Sequence, residues 1–256
     1  MKIGTSEISN LYLGNSEIQK VYLGTNSVYE KGGGAIGGID ANTMIMLHLD
    51  DNLNDSSLYS STFSITSTAT PTYGAGKFDK ALDIASNATY NANYKQSTNF
   101  NFTSNTQITL DWWMYVPTYT GSSSAQCMAT FTSSNGYTYN FGVSYTNNVW
   151  YLGANEATTS TYISSKVNYD AWNHFAVQSY FRNDNGYLAM ACFVNGEPAT
   201  YWAPKQSTAR LSSFSSVYLN SYGQNFKFDE IRLSNIGRYN LNNSFTPNDG
   251  PYTLEQ

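Results

Sequence analysis

Gln107-Ile108-Thr109-Leu110-Asp111-Trp112-Trp113-Met114-Tyr115-Val116 is a long extended run that stops at Pro117. Proline cannot donate to a sheet ladder, so a strand should end there. The same kind of run recurs on both sides of it. Upstream lie Met44-Ile45-Met46-Leu47-His48-Leu49, which runs into the acidic turn 50–57, and Ala81-Leu82-Asp83-Ile84. Downstream are runs at 127–131, 139–145, 149–152, 173–180, 187–194, 216–219 and 226–233. Asn195-Gly196 closes the 187–194 run with a hairpin signal. Helical periodicity is absent throughout. About a dozen strands joined by short polar turns predict an all-β sandwich or jelly roll.

Composition narrows the class. The 256 residues suffice for one sizeable β domain after a short leading segment. Charged residues make up 12% of the chain, about half the usual share. Tyrosine, of which there are 22, takes their place together with Ser, Thr and Asn. Such residues favour strands and turns and make adaptable contact surfaces. With a formal net charge of −5 and no Lys/Arg cluster, neither nucleic acid nor an anionic membrane is an expected partner. Cys127 and Cys192 sit in strand-like apolar runs and read as buried free thiols. No run has the length of a transmembrane helix, and the N-terminus shows no secretory signal.

The first thirty residues repeat a ten-residue unit three times. Lys2-Ile3-Gly4-Thr5-Ser6-Glu7-Ile8 aligns with Leu13-Gly14-Asn15-Ser16-Glu17-Ile18 and with Leu23-Gly24-Thr25-Asn26-Ser27-Val28. Each unit reads as strand, Gly-centred turn and strand. So short an array cannot bury a core alone. Its apolar residues Leu11, Leu13, Val21 and Leu23 therefore predict attachment or oligomerisation, most simply a homotrimer. The plainer alternative is a meander folded onto the main domain. Residues 1–31 form the array, the glycine-rich stretch 32–40 is a linker, and 41–256 form the main domain.

Six pieces of the main domain stand in a recognisable order. They are Leu47-His48-Leu49-Asp50 with Asn54-Asp55-Ser56-Ser57; Gly76-Lys77-Phe78-Asp79-Lys80-Ala81-Leu82; and Ile108-Thr109-Leu110-Asp111-Trp112-Trp113-Met114. Trp172-Asn173-His174-Phe175-Ala176-Val177 and Phe193-Val194-Asn195-Gly196 follow. The last is Phe228-Asp229-Glu230-Ile231-Arg232-Leu233-Ser234, with Arg238-Tyr239 and Phe245-Thr246-Pro247. In this order the pieces resemble the laminin-G-like, concanavalin A-like jelly rolls of bacteriophage structural proteins, and the array looks like a head found on phage tail and fibre proteins. The resemblance implies a virion protein of fibre, tail or head-decoration type. It would be made in the host cytoplasm, assemble with other virion proteins, and bind a host cell-surface glycan. A bacterial surface lectin-like adhesin is the alternative.

The resemblance also implies a structural calcium held between an early Asp and a late Asp-Glu pair, here Asp50, Asp55, Asp229 and Glu230. Proteins resembling this one usually carry Gly where Asp51 stands. The competing reading has Asp55 capping a turn and Glu230 pairing with Arg232 or Arg238. No catalytic residues are expected. A glucanase of this fold would need carboxylates alternating on one strand, and the glutamates are scattered. His174 and His48 read as packed core histidines. Trp113, Trp150, Trp172 and Phe175 read as core. Tyr119, Tyr137, Tyr162 and Trp202, in or beside Ser/Thr/Gly/Pro-rich turns, are candidates for stacking on sugars.

Overall fold

In the computed structural model, the long run forms a strand over Thr109–Val116 in the middle of a sheet. The structure describes residues 2–3, 6–7, 11–13, 16–18, 20–23, 26–30, 38–65, 70–84, 88–95, 107–118, 124–133, 138–146, 149–154, 160–181, 188–202, 211–222, 225–241 and 243–254.

Six short strands come first: β1 (Lys2–Ile3), β2 (Ser6–Glu7), β3 (Leu11–Leu13), β4 (Ser16–Ile18), β5 (Lys20–Leu23) and β6 (Asn26–Glu30). They pair as three separate antiparallel hairpins, one per ten-residue unit. The side chains of Leu11, Leu13, Val21 and Leu23 lie outside the described residues.

The main domain continues with β7 (Thr43–Leu47), β8 (Thr62–Ile65), β9 (Thr72–Ala75), β10 (Lys80–Ile84), β11 (Ala88–Lys95), β12 (Thr109–Val116) and β13 (Ser124–Ser133). Then come β14 (Thr138–Thr146), β15 (Val149–Ala154), β16 (Ser160–Tyr162), β17 (Ala171–Phe181) and β18 (Leu188–Val194). β19 (Glu197–Trp202), β20 (Leu211–Tyr222) and β21 (Phe226–Ser234) complete the set. One sheet runs β19-β18-β17-β12-β21-β10-β9, with β7 also paired to β21; the other runs β16-β15-β14-β13-β20-β11-β8. The hairpin expected at Asn195-Gly196 is present, with φ of 53° and 80°. At Gly196 a side chain would run into the Phe245 carbonyl oxygen, 1.9 Å from an added Cβ.

The two sheets enclose the main core. Leu110, Trp112, Met114 and Val116 of β12 face inward with Phe175 and Val177 of β17. They meet Phe141, Val143, Trp150, Leu152, Val217 and Leu219 of the opposite sheet. Trp112 stacks on Phe175 at 5.6 Å between centroids. The other face of β12 is nearly as buried, because the chain after β21 folds back over it. Tyr239 and Phe245 stack at 4.0 Å and pack with Phe193, Ala176 and Ala191 in a second apolar cluster. With both faces covered, β12 loses the in–out alternation of a half-exposed strand.

One buried ion pair organises that cover. Arg232 Nε donates to both oxygens of Asp111, at 3.3 and 3.2 Å, and neither residue is exposed to solvent. Tyr252 Oη donates to Asp111 Oδ1 at 2.7 Å, and its ring lies 3.8 Å beneath the Arg232 guanidinium. Burial works to raise the Asp111 pKa, but the Arg232 charge, the neighbouring His174 and the Tyr252 hydroxyl together outweigh it and hold the carboxyl below its usual range. Arg238 meanwhile forms a two-pronged bond with Asp40, at 2.9 and 2.6 Å. Residues 38–40, placed in the linker for their glycine-rich surroundings, are thus built into the sandwich. Ile39 also bridges in parallel to Leu254, and Arg232 reaches the Gly38 carbonyl.

Asp111→Asn should destabilise the domain by about 3–5 kcal/mol, because Arg232 would be left buried without its counter-charge. Urea unfolding measures this. The Asp111→Leu/Arg232→Met double variant should recover most of the loss. Asp40 gives a separate acid dependence. Burial would raise its pKa, but Arg238 overrides this and brings it to about 2. Its contribution is therefore complete above the ordinary carboxylate range and fades as pH falls towards 2. Asp40→Asn should flatten that part of the acid-unfolding curve.

Candidate functional site

β21 changes partners halfway along. β10 pairs with Phe226–Phe228 and β7 with Ile231–Ser234, so on that flank Asp229 and Glu230 face a gap between two strands. On the other flank the β12 register slips between Asp111 and Trp113, so Glu230 and Ile231 together stand opposite Trp112. Glu230 sits there at φ 50°, which makes this a β-bulge. Segments 48–51 and 76–79 lie at the gap. Leu49, Asp51 and Asp79 adopt φ of 63°, 59° and 43°. Asp tolerates this left-handed region at a modest cost, while glycine enters it freely; that is the physical reason for a Gly at the position of Asp51.

The acidic side chains divide sharply. Asp229 Oδ2 accepts the amides of Lys77 and Phe78, at 2.8 and 3.0 Å. Its Oδ1 is buried and has no hydrogen-bond partner. Burial pushes the Asp229 pKa up to about 7; the nearby charges of Glu230 and Asp50 add to this, against the two amides. Glu230 Oε1 lies 2.6 Å from His48 Nδ1, and its Oε2 accepts the Tyr252 amide at 2.8 Å. Burial works to lower the His48 pKa, yet Glu230, with Asp50 and Asp229 behind it, holds the imidazole above its ordinary value. Asp50 Oδ1 accepts the Lys80 amide at 3.0 Å. Asp55 stands apart. Its two oxygens accept from Met46 N, Ser57 N, Ser57 Oγ and Ser61 N, at 2.8–2.9 Å.

Calcium takes six to eight oxygens. Asp55 is committed to the turn it caps, and both Glu230 oxygens are engaged. Asp229 Oδ1 and the remaining Asp50 oxygen are the side-chain atoms that fit a cation. Among the described residues no three His, Cys, Asp or Glu side chains gather as a metal set. The orphaned Asp229 oxygen is the feature that calls for a positive neighbour.

Several expectations change. Glu230 pairs with His48, not with Arg232 or Arg238, because those guanidinia serve Asp111 and Asp40. His48 is therefore an ion-pair partner and not a packed core residue. His174 is the packed one. It is fully buried between Trp113 and Phe245, at 5.2 and 5.8 Å, and neither ring nitrogen has a hydrogen-bond partner. Its Nε2 lies 3.9 Å from Asp111, too far for a bond. Burial lowers its pKa, so it is a neutral ring. Cys192 is a buried free thiol, pushed up to about 12 by burial, and is unreactive. Trp113, Trp150 and Phe175 are buried; Trp172 is half-exposed on the outer face, 5.8 Å from Tyr115. The side chains of Tyr119, Tyr137, Tyr162, Trp202 and Cys127 lie outside the described residues.

No family model and no curated protein matches the chain. Among solved structures it is similar to the botulinum neurotoxin serotype G binding domain, with 11% identity and a TM-score of 0.51 over 76% of this chain and 48% of the other. A botulinum neurotoxin type C structure, described through that toxin's interaction with two ganglioside molecules, aligns with 11% identity and a TM-score of 0.53 over 76% and 48%. The binding domain of Paraclostridial mosquitocidal protein 1 aligns with 15% identity and a TM-score of 0.50 over 77% and 49%. The chain spans about half the length of these neighbours. At such identity the likeness establishes the fold, a β-sandwich.

Asp229 supplies a pH test. Its folded pKa of about 7 lies above the ordinary aspartate value of 3.8. Between those values the unfolded chain releases a proton that the folded chain keeps, so this carboxyl's contribution to stability falls as pH rises from about 4 to 7. In EDTA, Asp229→Asn should match the parent near pH 4 and melt at a higher temperature at pH 8. Thermal melts across pH measure it; parallel curves would remove the buried-carboxyl account.

Proposed function

We propose that the chain is a bacteriophage virion protein of fibre, tail or head-decoration type. Its sandwich binds a glycan on the host surface. Its three hairpins attach it to the particle and join three copies. The observation that supports this reading best is the combination of two parts: a repeated hairpin array, and a sandwich of the kind that receptor-binding domains use. Some neighbours engage gangliosides or a sialylated ligand, by their own descriptions. Three copies on one particle would raise avidity through effective concentration.

The carboxylates on β12 and β21 support recognition without catalysis. Glycosidases flank an open cleft with a carboxylic acid and a carboxylate. Asp111 is locked to Arg232, Asp229 is buried, and Glu230 is held by His48 and a backbone amide. A structural calcium, if present, would sit on Asp229 and Asp50. It would stabilise the gap in the sheet, since a ligand bound only to the folded state raises its melting temperature.

The intact chain should sediment as a trimer. A fragment beginning at Gly37, which keeps Ile39 and Asp40, should sediment as a monomer; equal monomer masses would remove self-assembly and leave docking onto another virion protein. On host polysaccharides the full chain should bind and release no reducing ends. Released ends would make it a hydrolase. At pH 8, millimolar calcium should raise the melting temperature over that in EDTA, and Asp229→Asn should abolish the rise.

A further inference from the structure

The chain after β21 covers only part of the outer face of the β12 sheet. Arg238 donates its amide to Thr109, Tyr252 bonds Asp111, Phe245 packs on His174, and Asn248 accepts from Trp113 Nε1 at 3.1 Å. The next row along the strands is more open. It runs across five adjacent strands in register: Trp172 opposite Tyr115, Tyr115 opposite Lys227, Lys227 opposite Asp83, and Asp83 opposite Thr72. Trp172 and Tyr115 are half-buried and Thr72 is exposed. The Lys227 and Asp83 side chains keep 28% and 31% of their surface exposed. We propose that this row, Trp172-Tyr115-Lys227-Asp83-Thr72, binds a neutral oligosaccharide.

The chemistry of the row selects that ligand. Aromatic rings offer apolar area with defined geometry and take the C–H faces of a sugar. Lys227 Nζ lies 3.7 Å from Asp83 Oδ2 and 3.3 Å from the Ala75 carbonyl. The pair cancels in charge, yet it can still donate to and accept from hydroxyl groups. That favours a neutral polyol over an anion or a cation. Gly74 keeps the pair accessible: a Cβ there would stand 2.7 Å from Asp83 Oδ2 and 3.4 Å from Lys227 Nζ. Strands lie about 4.8 Å apart, roughly the scale of one pyranose ring, so the row extends for about 19 Å. Every member sits on a paired strand and not on a loop, so little ordering is needed on binding.

The proposal rests on the glycan reading above, and calorimetric titration can separate the two. The full chain is titrated with maltoheptaose, cellohexaose, chitohexaose and soluble mannan. At least one should bind. Trp172→Ala and Tyr115→Ala should each lose roughly tenfold or more, the scale of one lost stacking contact. Trp172→Phe should stay near the parent, and Leu58→Ala, a change at an exposed residue outside the row, should bind normally. Lys227→Met/Asp83→Asn, which keeps the shapes of both side chains, should also weaken binding and serves if an alanine variant fails to fold. Binding that survives in all row variants overturns the row but keeps the glycan reading. No binding of any neutral probe by the parent chain overturns the row as a neutral-sugar site, while the host-polysaccharide assay decides the glycan reading on its own.

Discussion

Asp111 and Arg232 are charged side chains placed between two packed layers, and most of the domain's organisation follows from keeping them paired. An isolated charge at either position would carry an uncompensated desolvation cost. The pair draws three distant parts of the chain together. Arg232 lies on β21, Asp111 on β12, and Tyr252 near the end of the chain closes over both. Arg232 also reaches Gly38, at the start of the domain. The Ile39–Leu254 bridge then fixes the first and last segments of the sandwich side by side. The hairpin array therefore leads into the domain beside the C-terminal segment.

The same cover explains the gap beside Asp229 and Glu230. Tyr252 both bonds Asp111 and donates its amide to Glu230. The bulge at Glu230 turns that carboxylate to a position where the amide and His48 can reach it. Bulges commonly re-aim side chains in this way. Asp229, its neighbour, gains two amides for one oxygen and nothing for the other. Stability and an unmet electrostatic demand thus arise from one local irregularity in the ladder.

Sequence patterns revealed the framework where strands carry large apolar residues. The runs at β7, β10, β12, β17, β18 and β21 were legible because their side chains fill the core. Strands β8, β9, β11, β16 and β19 were not read in advance. Their residues, as in Ala88-Thr89-Tyr90-Asn91-Ala92-Asn93-Tyr94-Lys95, are largely polar or aromatic and carry no clean alternation. Pairing with neighbours makes them strands, and pairing is a non-local property. The acidic site was half legible. Asp229 and Glu230 stood out as an adjacent pair on a strand, but their partners lie far away in sequence: His48, the Lys77 and Phe78 amides, and Tyr252. Asp55 resembled a ligand because its turn is acidic, whereas its hydrogen bonds serve its own loop. Trp172 is a related case. A large aromatic within a strand reads as core, but only the extent of the C-terminal cover decides whether the outer face at that point is buried.

That last point bears on function. A sheet with both faces covered has nothing to offer a ligand except where the cover stops. Here the cover reaches Trp113 and His174 but leaves Tyr115 and Trp172 half-exposed in the adjoining row. Sandwich and cover together create a narrow accessible strip on an otherwise rigid wall. The paired strands hold the strip in place, and the buried Asp111–Arg232 pair fixes the cover beside it. A surface preformed in this way loses little entropy when it takes a ligand.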